Sequence, residues 1–167
     1  MVICGLGGQG AVFLSRVLAE AAIAGGSEVM VSETHGMAQR GGAVESFVRI
    51  GDFAGPTVRP GRADAVLVLD ESRVAAGQRF LREGAACFVN AKADIEGASA
   101  CDAFGVAQEI SNARGTNLVL LGFAVAIRPD LFPDAHACLD AVKRLAPPAV
   151  RDRNVLAFER GGALTEV

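Results

Sequence analysis

The first ten residues constrain the fold of this chain more than any other stretch. A short apolar run, Met1 to Cys4, leads into a glycine-rich segment, and a helical pattern follows from Ala11. The glycines of this segment, three of them on a G-x-G-x-x-G spacing, are Gly5, Gly7, Gly8 and Gly10. Glycine permits a tight turn, the approach of a ligand to the backbone, and close packing of helix on strand. The order strand, glycine turn, helix therefore predicts a βα unit at the start of the chain.

This glycine turn is a candidate binding site. The free N–H groups of the first helical turn would face any group held above the loop, and they favour an anion. We therefore predict five cofactor-binding residues here, namely Gly5, Gly7, Gly8, Gln9 and Gly10. The spacing alone is a weak signal, and the alternative is a tight β–α turn that binds nothing.

Composition limits the class of protein. The chain has 167 residues, of which 51% are hydrophobic, so we expect one packed domain spanning residues 1–167. It has no Trp or Tyr, and its core must be built from aliphatic side chains, alanine and nine Phe. The net charge of −3 predicts no general attraction to nucleic acid or to an acidic membrane.

The cysteines are scattered and form no C-x-x-C pair: Cys4, Cys87, Cys101 and Cys138. We expect them to be small buried hydrophobic residues, with no zinc site, iron–sulfur cluster or disulfide framework in this chain. The longest apolar stretch, Leu118 to Ile127, is too short to span a membrane. No secretory signal precedes the first strand, and we expect a cytoplasmic protein without membrane contact.

Periodicity in the first half of the chain predicts alternating strands and helices. A helix from Ala11 to Ala24 ends at two glycines, and a strand from Glu28 to Ser32 follows. Val44 to Ile50 alternates, which predicts a strand covered on one side only and placed at an edge. Ala65 to Leu69 is continuously apolar, as in a central parallel strand buried on both faces.

The second half becomes helical. The predicted elements are a helix at Glu71–Arg82, a strand at Ala85–Asn90, and helices at Asp102–Arg114, Leu118–Ile127, Asp134–Leu145 and Asn154–Arg160. Thr116 or Asn117 is suited to cap the apolar fourth helix, which we expect to be buried or covered by another subunit. The fold class that follows is α/β: one Rossmann-like domain with a mostly parallel sheet, helices on both faces and a helical C-terminal third.

A second unusual segment follows the second predicted strand. Glu33 lies about where a dinucleotide fold places the acid that binds a ribose, so NAD binding is a serious alternative. The residues after it place side-chain donors of several kinds between glycines. We predict a ligand or a subunit contact here, and the candidate residues are Glu33, His35, Gly36, Gln39, Arg40 and Gly41. The alternative is a solvated surface loop.

Autonomous catalysis is not indicated. The sequence has no G-x-S-x-G elbow and no G-x-x-x-x-G-K-[ST] loop, which argues against a hydrolase and against nucleoside triphosphate hydrolysis. Of the two histidines, His136 lies in an amphipathic helical pattern and is expected at the surface. We predict no catalytic residue and no metal ligand in this chain.

Several motifs together resemble one known family. The longest are Gly5-Leu6-Gly7-Gly8-Gln9-Gly10, His35-Gly36-Met37-Ala38-Gln39-Arg40-Gly41-Gly42 and Val44-Glu45-Ser46-Phe47-Val48-Arg49-Ile50-Gly51. Shorter ones are Ala63-Asp64, Asn117 before Leu121-Gly122, and Asn154 with Ala157-Phe158 and Gly161. Across most of its length the chain resembles the gamma subunit or gamma domain of 2-oxoacid:ferredoxin oxidoreductases, and most closely the small subunit of the indolepyruvate enzymes.

The resemblance implies a role within a larger enzyme. The family decarboxylates a 2-oxoacid oxidatively, reduces ferredoxin and transfers the acyl group to coenzyme A. Thiamine diphosphate and iron–sulfur clusters are held mainly by other subunits. The chain is then a non-autonomous subunit, whose partners are the subunits that hold those cofactors and, through the complex, ferredoxin.

Three hypotheses remain open for the two loops. In the first, Gly5 to Gly10 and His35 to Gly42 form one surface, called here the two-loop surface. This surface binds the diphosphate or adenine end of coenzyme A or packs against the subunit that holds thiamine diphosphate. In the second, the chain is a stand-alone NAD(P)-dependent oxidoreductase. In the third, it is a purely structural subunit with an empty crevice.

Overall fold

One six-stranded sheet organises the chain. The computed structural model describes residues 1–35 and 41–165, and only the backbone of His35. The strands are β1 (Val2–Leu6), β2 (Val29–His35), β3 (Ala43–Ile50), β4 (Ala63–Val68), β5 (Leu81–Asn90) and β6 (Ser99–Cys101). Their order across the sheet is β2-β3-β1-β4-β5-β6. β2 extends beyond the predicted end of the second strand at Ser32. β6 was not predicted, because three residues give no periodic signal.

The sheet is mostly parallel, as predicted. β1, β4, β5 and β6 pair in parallel, whereas β3 is antiparallel to both of its neighbours, so that β2 runs in the same direction as β1. The prediction that β3 is an edge strand covered on one side was wrong. Its polar face is covered too, because Glu45 forms ion pairs with Arg73 and Arg79, and Arg49 hydrogen-bonds to carbonyls of the loop after β3.

The helices lie close to their predicted positions, but two of them are shorter than predicted. They are α1 (Ala11–Ala24), α2 (Val74–Gln78), α3 (Ala103–Glu109), α4 (Thr116–Ile127), α5 (Ala135–Leu145) and α6 (Arg151–Ala163). The helix predicted as Glu71–Arg82 is reduced to α2, and the chain enters β5 at Leu81. α3 ends at Glu109, before the predicted end at Arg114. The helical C-terminal third is confirmed. Within the described residues, every helix is too short or too polar to cross a membrane.

The two faces of the sheet are covered unequally. The larger core lies beneath α1, α3, α4, α5 and α6, and at its centre the fully buried ring of Phe88 contacts Phe123 and Phe132 edge-on. The opposite face carries a smaller core under α2, where Phe47 contacts Phe80. Helices therefore cover both faces, as predicted, and most of the apolar burial that stabilises the fold lies on one of them.

α4 and α6 cross with their backbones in contact. A Cβ on Gly122 would overlap the carbonyl oxygen of Phe158, and one on Gly161 would overlap that of Val119. Only glycine permits this approach. The apolar α4 is buried within this chain itself, from Asn117 to Val125.

Candidate functional site

The glycine loop after β1 is a tight turn whose tip is exposed. The Gln9 N–H donates to the carbonyl oxygen of Leu6 at 3.1 Å, which closes a four-residue turn. Gly8 has φ +99°, a conformation that the third residue of a type II turn needs and that favours glycine. Gly7 and Gly8 are both exposed, and nothing lies within 4 Å of a Cβ placed on Gly8. A ligand or a partner chain can therefore approach this backbone closely.

The side chain of Gln9 closes the same turn a second time. Its Oε1 accepts the N–H of Leu6 at 2.7 Å, and its Nε2 donates to Oδ2 of Asp70 at 2.9 Å. A Cβ on Gly5 would lie 3.0 Å from that Oε1, so Gly5 leaves room for the carboxamide. Gln9 thus connects the end of β1 to the end of β4.

Asp70 is held as a carboxylate at the end of β4. Its Oδ1 accepts the hydroxyl of Ser72 at 2.6 Å and the N–H of Ser72 at 3.1 Å. The Ser72 hydroxyl, and after it Gln9, lowers the pKa of Asp70 against the opposing effect of partial burial. The site therefore carries a negative charge about one side chain away from the exposed turn.

The glycine loop also contacts the start of α4. Asn117 is 3% exposed and donates from Nδ2 to the carbonyl oxygen of Gly10 at 3.1 Å. Gly10 has φ +80°, and a Cβ on it would overlap that amide nitrogen. The predicted cap is only partly present: α4 begins at Thr116 after Gly115, which provides no side-chain cap. Asn117, inside the first turn, accepts the N–H of Leu118 with its Oδ1 at 2.9 Å while its amide donates to the loop.

The N-terminus of α1 is open. No side chain caps it, and its first turn has no acidic residue. Among the described residues, none accepts the N–H of Gly8 or Gly10. The positive end of the helix dipole therefore points past the exposed turn, where an anion would be favoured.

The second predicted segment meets the first at this end of the sheet. The N–H of Gly7 donates to the carbonyl oxygen of Gly42 at 2.9 Å. His35 pairs with Val44, which pairs with Gly5, so the ends of β2 and β1 are aligned across β3. Gly41 is exposed, with φ +72°.

Three predicted site residues lie outside the described residues: Gly36, Gln39 and Arg40. The side chain of His35 is likewise not described. The structure thus brings together the flanks of the two predicted loops, and the assignment of all these residues as cofactor-binding remains a prediction.

Glu33 is separated from the glycine loop by a strand. It lies in β2 and pairs with Ser46 of β3, which in turn pairs with Ile3 of β1. In dinucleotide folds the strand that carries the ribose-binding acid is adjacent to β1. Here the two strands are about two strand spacings, roughly 10 Å, apart. This arrangement argues against NAD(P) bound in the manner of those folds.

Two clefts differ in size and position. One of about 450 Å³ lies beside the glycine loop, between Gln9, Asp70, Asn90 and Phe104. A larger groove of about 1200 Å³ lies at the other end of the sheet, beside Arg59 and other residues of the loop after β3. The smaller cleft adjoins the two-loop surface and the carboxyl ends of the parallel strands, where ligands gather in open α/β sheets. Position therefore outweighs size in choosing the candidate site.

Three of the four thiols are buried, and that of Cys101 is half-buried. Burial raises the pKa of Cys87 to about 11 and those of Cys4, Cys101 and Cys138 to about 12. In residues 1–35 and 41–165 no group of three or more His, Cys, Asp or Glu side chains could hold a metal ion. His136 is exposed, as predicted.

Sequence reasoning missed two residues of the site. Asp70 was not among the predicted site residues, and Asn117 was interpreted as a possible cap of α4 and as part of a family motif. Both contact the glycine loop from positions 61 and 107 residues away along the chain. A local pattern contains no signal for such contacts.

Comparisons with known proteins agree with this architecture. The sequence matches the family described as pyruvate ferredoxin/flavodoxin oxidoreductase over residues 1–164. The indolepyruvate oxidoreductase subunit IorB of Archaeoglobus fulgidus is 41% identical over 92 residues, which are 55% of this chain and 46% of that subunit. The alignment thus spans about half the length of that relative.

Two further similarities extend over nearly the whole chain. The IorB subunit of Thermococcus kodakarensis is 33% identical, with 96% of this chain and 93% of that subunit covered. The gamma subunit of a keto/oxoacid ferredoxin oxidoreductase from Geobacter sulfurreducens superposes with a TM-score of 0.79 at 28% identity, over 96% of this chain and 94% of that one. This chain therefore belongs to the pyruvate ferredoxin/flavodoxin oxidoreductase family, and its homologues are the gamma-type subunits of those enzymes.

Proposed function

We propose that this chain is the non-autonomous gamma-type subunit of a 2-oxoacid:ferredoxin oxidoreductase. In this role its two-loop surface completes the coenzyme A and thiamine diphosphate region of the complex. The other subunits hold thiamine diphosphate and the iron–sulfur clusters, and ferredoxin receives the electrons. Indolepyruvate is the first substrate to assay, because two of the relatives described above carry that name. A cytoplasmic location remains part of the proposal.

The observation that carries this role is the hydrogen bond from Gly7 to Gly42. It joins the two loops beside the open N-terminus of α1. Because Gly7 and Gly8 have no side chains and are exposed, the backbone N–H groups near them are accessible to a bound group. We assign the diphosphate of coenzyme A to this position, since the helix dipole favours an anion there. The negative charge of Asp70 would repel such an anion. The repulsion is weakened because the Gln9 side chain lies between Asp70 and the exposed turn.

The first experiment tests the complex. The tagged chain is purified from its native host, and the sample is assayed for iron, thiamine diphosphate and 2-oxoacid-dependent dye reduction. We expect larger subunits that carry those cofactors to copurify with the chain. A chain that arrives alone and binds NAD(P) stoichiometrically would refute the proposal and support the dinucleotide alternative.

The second experiment tests the two-loop surface in that complex. Gly7→Glu adds bulk and negative charge at the exposed turn, and its matched control is Gly55→Glu in the loop after β3, where nothing lies within 4 Å of an added Cβ. We expect Gly7→Glu alone to raise the KM for coenzyme A. If it prevents subunit assembly instead, the surface is a contact with a partner chain. Equal behaviour of the two variants would show that the surface has no role.

A third variant concerns the predicted charge in the second loop. Arg40→Ala should raise the KM for coenzyme A, because it removes a cation that would pair with the diphosphate. Arg59→Ala, at an exposed position at the other end of the sheet, is the control. An unchanged KM in an assembled Arg40→Ala complex would contradict binding of coenzyme A by this residue.

A further inference from the structure

We propose that Gln9 and Asp70 act as a latch that positions the glycine loop for the group it binds in the complex. The inference rests on the proposed function of the two-loop surface and assigns positioning residues to it. Asp70 does not belong to either predicted loop, and it acts through Gln9 rather than by touching the bound group.

The geometry admits one orientation of the Gln9 carboxamide. Its Oε1 faces a donor, the N–H of Leu6, at 2.7 Å, and its Nε2 faces an acceptor, the carboxylate of Asp70, at 2.9 Å. A flipped amide would place donor against donor and acceptor against acceptor, and both hydrogen bonds would be lost. The latch therefore fixes the side chain as well as the turn.

The atoms around the Gln9 carboxamide also leave little free space. A Cβ on Gly5 would lie 3.0 Å from Gln9 Oε1 and 3.2 Å from Leu69 Cβ. The carboxamide thus lies between the end of β1 and the end of β4, where the sheet leaves just enough room for it. At this point the chain leaves β1 for α1 on one face and β4 for α2 on the other.

Asp70 is itself held rigidly. Its second oxygen accepts both the hydroxyl and the N–H of Ser72, so its carboxylate cannot rotate without losing these bonds. Leu69 extends the β1–β4 ladder by donating to the carbonyl oxygen of Cys4 at 2.8 Å. Gln9 therefore connects the exposed turn to the buried central parallel strands β1 and β4.

The alternative to a latch is a pair of hydrogen bonds that only stabilises the fold. The two roles predict changes in different measured quantities. A structural pair changes the free energy of unfolding and leaves the kinetics of the assembled complex unchanged. A positioning pair changes the KM for coenzyme A, because the loop N–H groups shift, while kcat stays the same.

A reversed pair provides the test. In the double variant Gln9→Glu with Asp70→Asn, the new carboxylate at position 9 accepts from Leu6 N–H and from the new amide at position 70. The oxygen of that amide still accepts from Ser72. Each hydrogen bond is thus kept with side chains of the same shape. Each single variant breaks one, because Gln9→Glu sets two carboxylates face to face and Asp70→Asn sets two donors face to face.

In the holoenzyme we expect each single variant to raise the KM for coenzyme A about fivefold to tenfold, which corresponds to the loss of one hydrogen bond of ordinary strength, with kcat unchanged. The double variant should return the KM to within about twofold of the original. The pair is only structural, and the proposal is wrong, if the thermal midpoint falls in the single variants and recovers in the double variant while the KM stays unchanged in all three.

Amide hydrogen exchange of the isolated chain separates this proposal from the proposed function. The N–H of Leu6 should exchange faster in both single variants and be protected again in the double variant, whatever the complex does. If no larger subunits copurify with the unmodified chain, the proposed function is refuted. The hydrogen-exchange result still tests the latch in that case. Unchanged exchange in the single variants refutes the latch directly.

Discussion

Glycines perform opposite tasks in two regions of this molecule. In the loop after β1, Gly7 and Gly8 are exposed, and an added side chain would meet open space or, at Gly7, the nitrogen of Gly41 at 3.4 Å. Where α4 crosses α6, Gly122 and Gly161 are buried, and an added Cβ would overlap backbone atoms. Absence of a side chain allows access in the first region and close packing in the second.

The difference shows that a glycine motif is not by itself evidence of a binding site. Both groups of glycines lie in the motifs on which the family resemblance was based, and only their surroundings distinguish them. Substitutions in the helix crossing should affect stability, whereas substitutions in the exposed turn should affect the assembled enzyme. Four predictions test this division.

The largest effect is expected at the helix crossing. Gly161→Ala should lower the free energy of unfolding by about 3 kcal/mol, because rigid backbone atoms of α4 leave no room for the methyl group and the helices must separate. Gly162→Ala is the matched control, since its Cβ would lie 3.9 Å from the carbonyl oxygen of Gly122. Chemical denaturation of the isolated chain measures both.

The control should be neutral or stabilising by up to about 1 kcal/mol, as alanine favours a helix over glycine. Equal destabilisation by the two substitutions would show that α4 and α6 do not cross at Gly161.

Asn117 connects the two regions, and its effect should be intermediate. Asn117→Ala removes the hydrogen bond to Gly10 and should lower the free energy of unfolding by about 1–2 kcal/mol. In the complex the same substitution should raise the KM for coenzyme A, because Gly10 directly precedes α1 and belongs to the glycine loop. A loss of stability without any change in KM would show that Asn117 contributes to packing only, like Gly122 and Gly161.

The pH dependence of stability should show the contribution of the charged Asp70 side chain. Because the folded pKa of Asp70 lies below its unfolded value, the group stabilises the fold above its unfolded pKa, near pH 4. This contribution is lost as the pH falls through the folded pKa. Asp70→Asn should therefore be less stable than the original chain at neutral pH, and the difference should close in acid.

Thermal unfolding between about pH 2 and pH 7 measures this difference. Asp94→Asn, at an exposed position, is the control substitution. A gap between Asp70→Asn and the original chain that persists at the acid end would contradict the charged hydrogen-bonded state of Asp70.

The smallest stability effect is expected at Gly7 in the exposed turn. Gly7→Ala should change the free energy of unfolding by no more than about 0.5 kcal/mol, as at other surface positions. Gly8→Ala should cost about 1–2 kcal/mol, because alanine is strained at positive φ even in open space. Urea denaturation of the two variants side by side gives the comparison.

A large loss of stability in Gly7→Ala would mean that this turn is packed like the helix crossing. The contrast between the two groups of glycines would then fail.

Much of the fold followed from local pattern. α1 was predicted with both of its boundaries, β4 was recognised by its continuous apolar run, and the apolar α4 was expected to be buried. The error at β3 arose because alternation reports one polar face and does not show what covers it. Glu45 and Arg49 are polar and half-buried: Glu45 pairs with arginines distant in sequence, and Arg49 donates to the loop that follows β3.

The candidate site could be predicted in part. The glycine loop was identified because the spacing of its glycines is local. Its contact with the second loop was expected and is supported by the bond from Gly7 to Gly42. Asp70 and Asn117 were missed as parts of the site, because hydrogen bonds across 61 and 107 residues leave no periodic trace.

The sequence by itself determined the α/β class, the βα glycine turn and the family, because these depend on residue spacing and local conformational preference. Only the tertiary structure decided that β3 separates β2 from β1, which moves Glu33 away from the glycine loop. It also decided which glycines are exposed and which side chains hold the loop. Strand order and burial result from packing between distant segments, and that packing is fixed only when the whole chain folds.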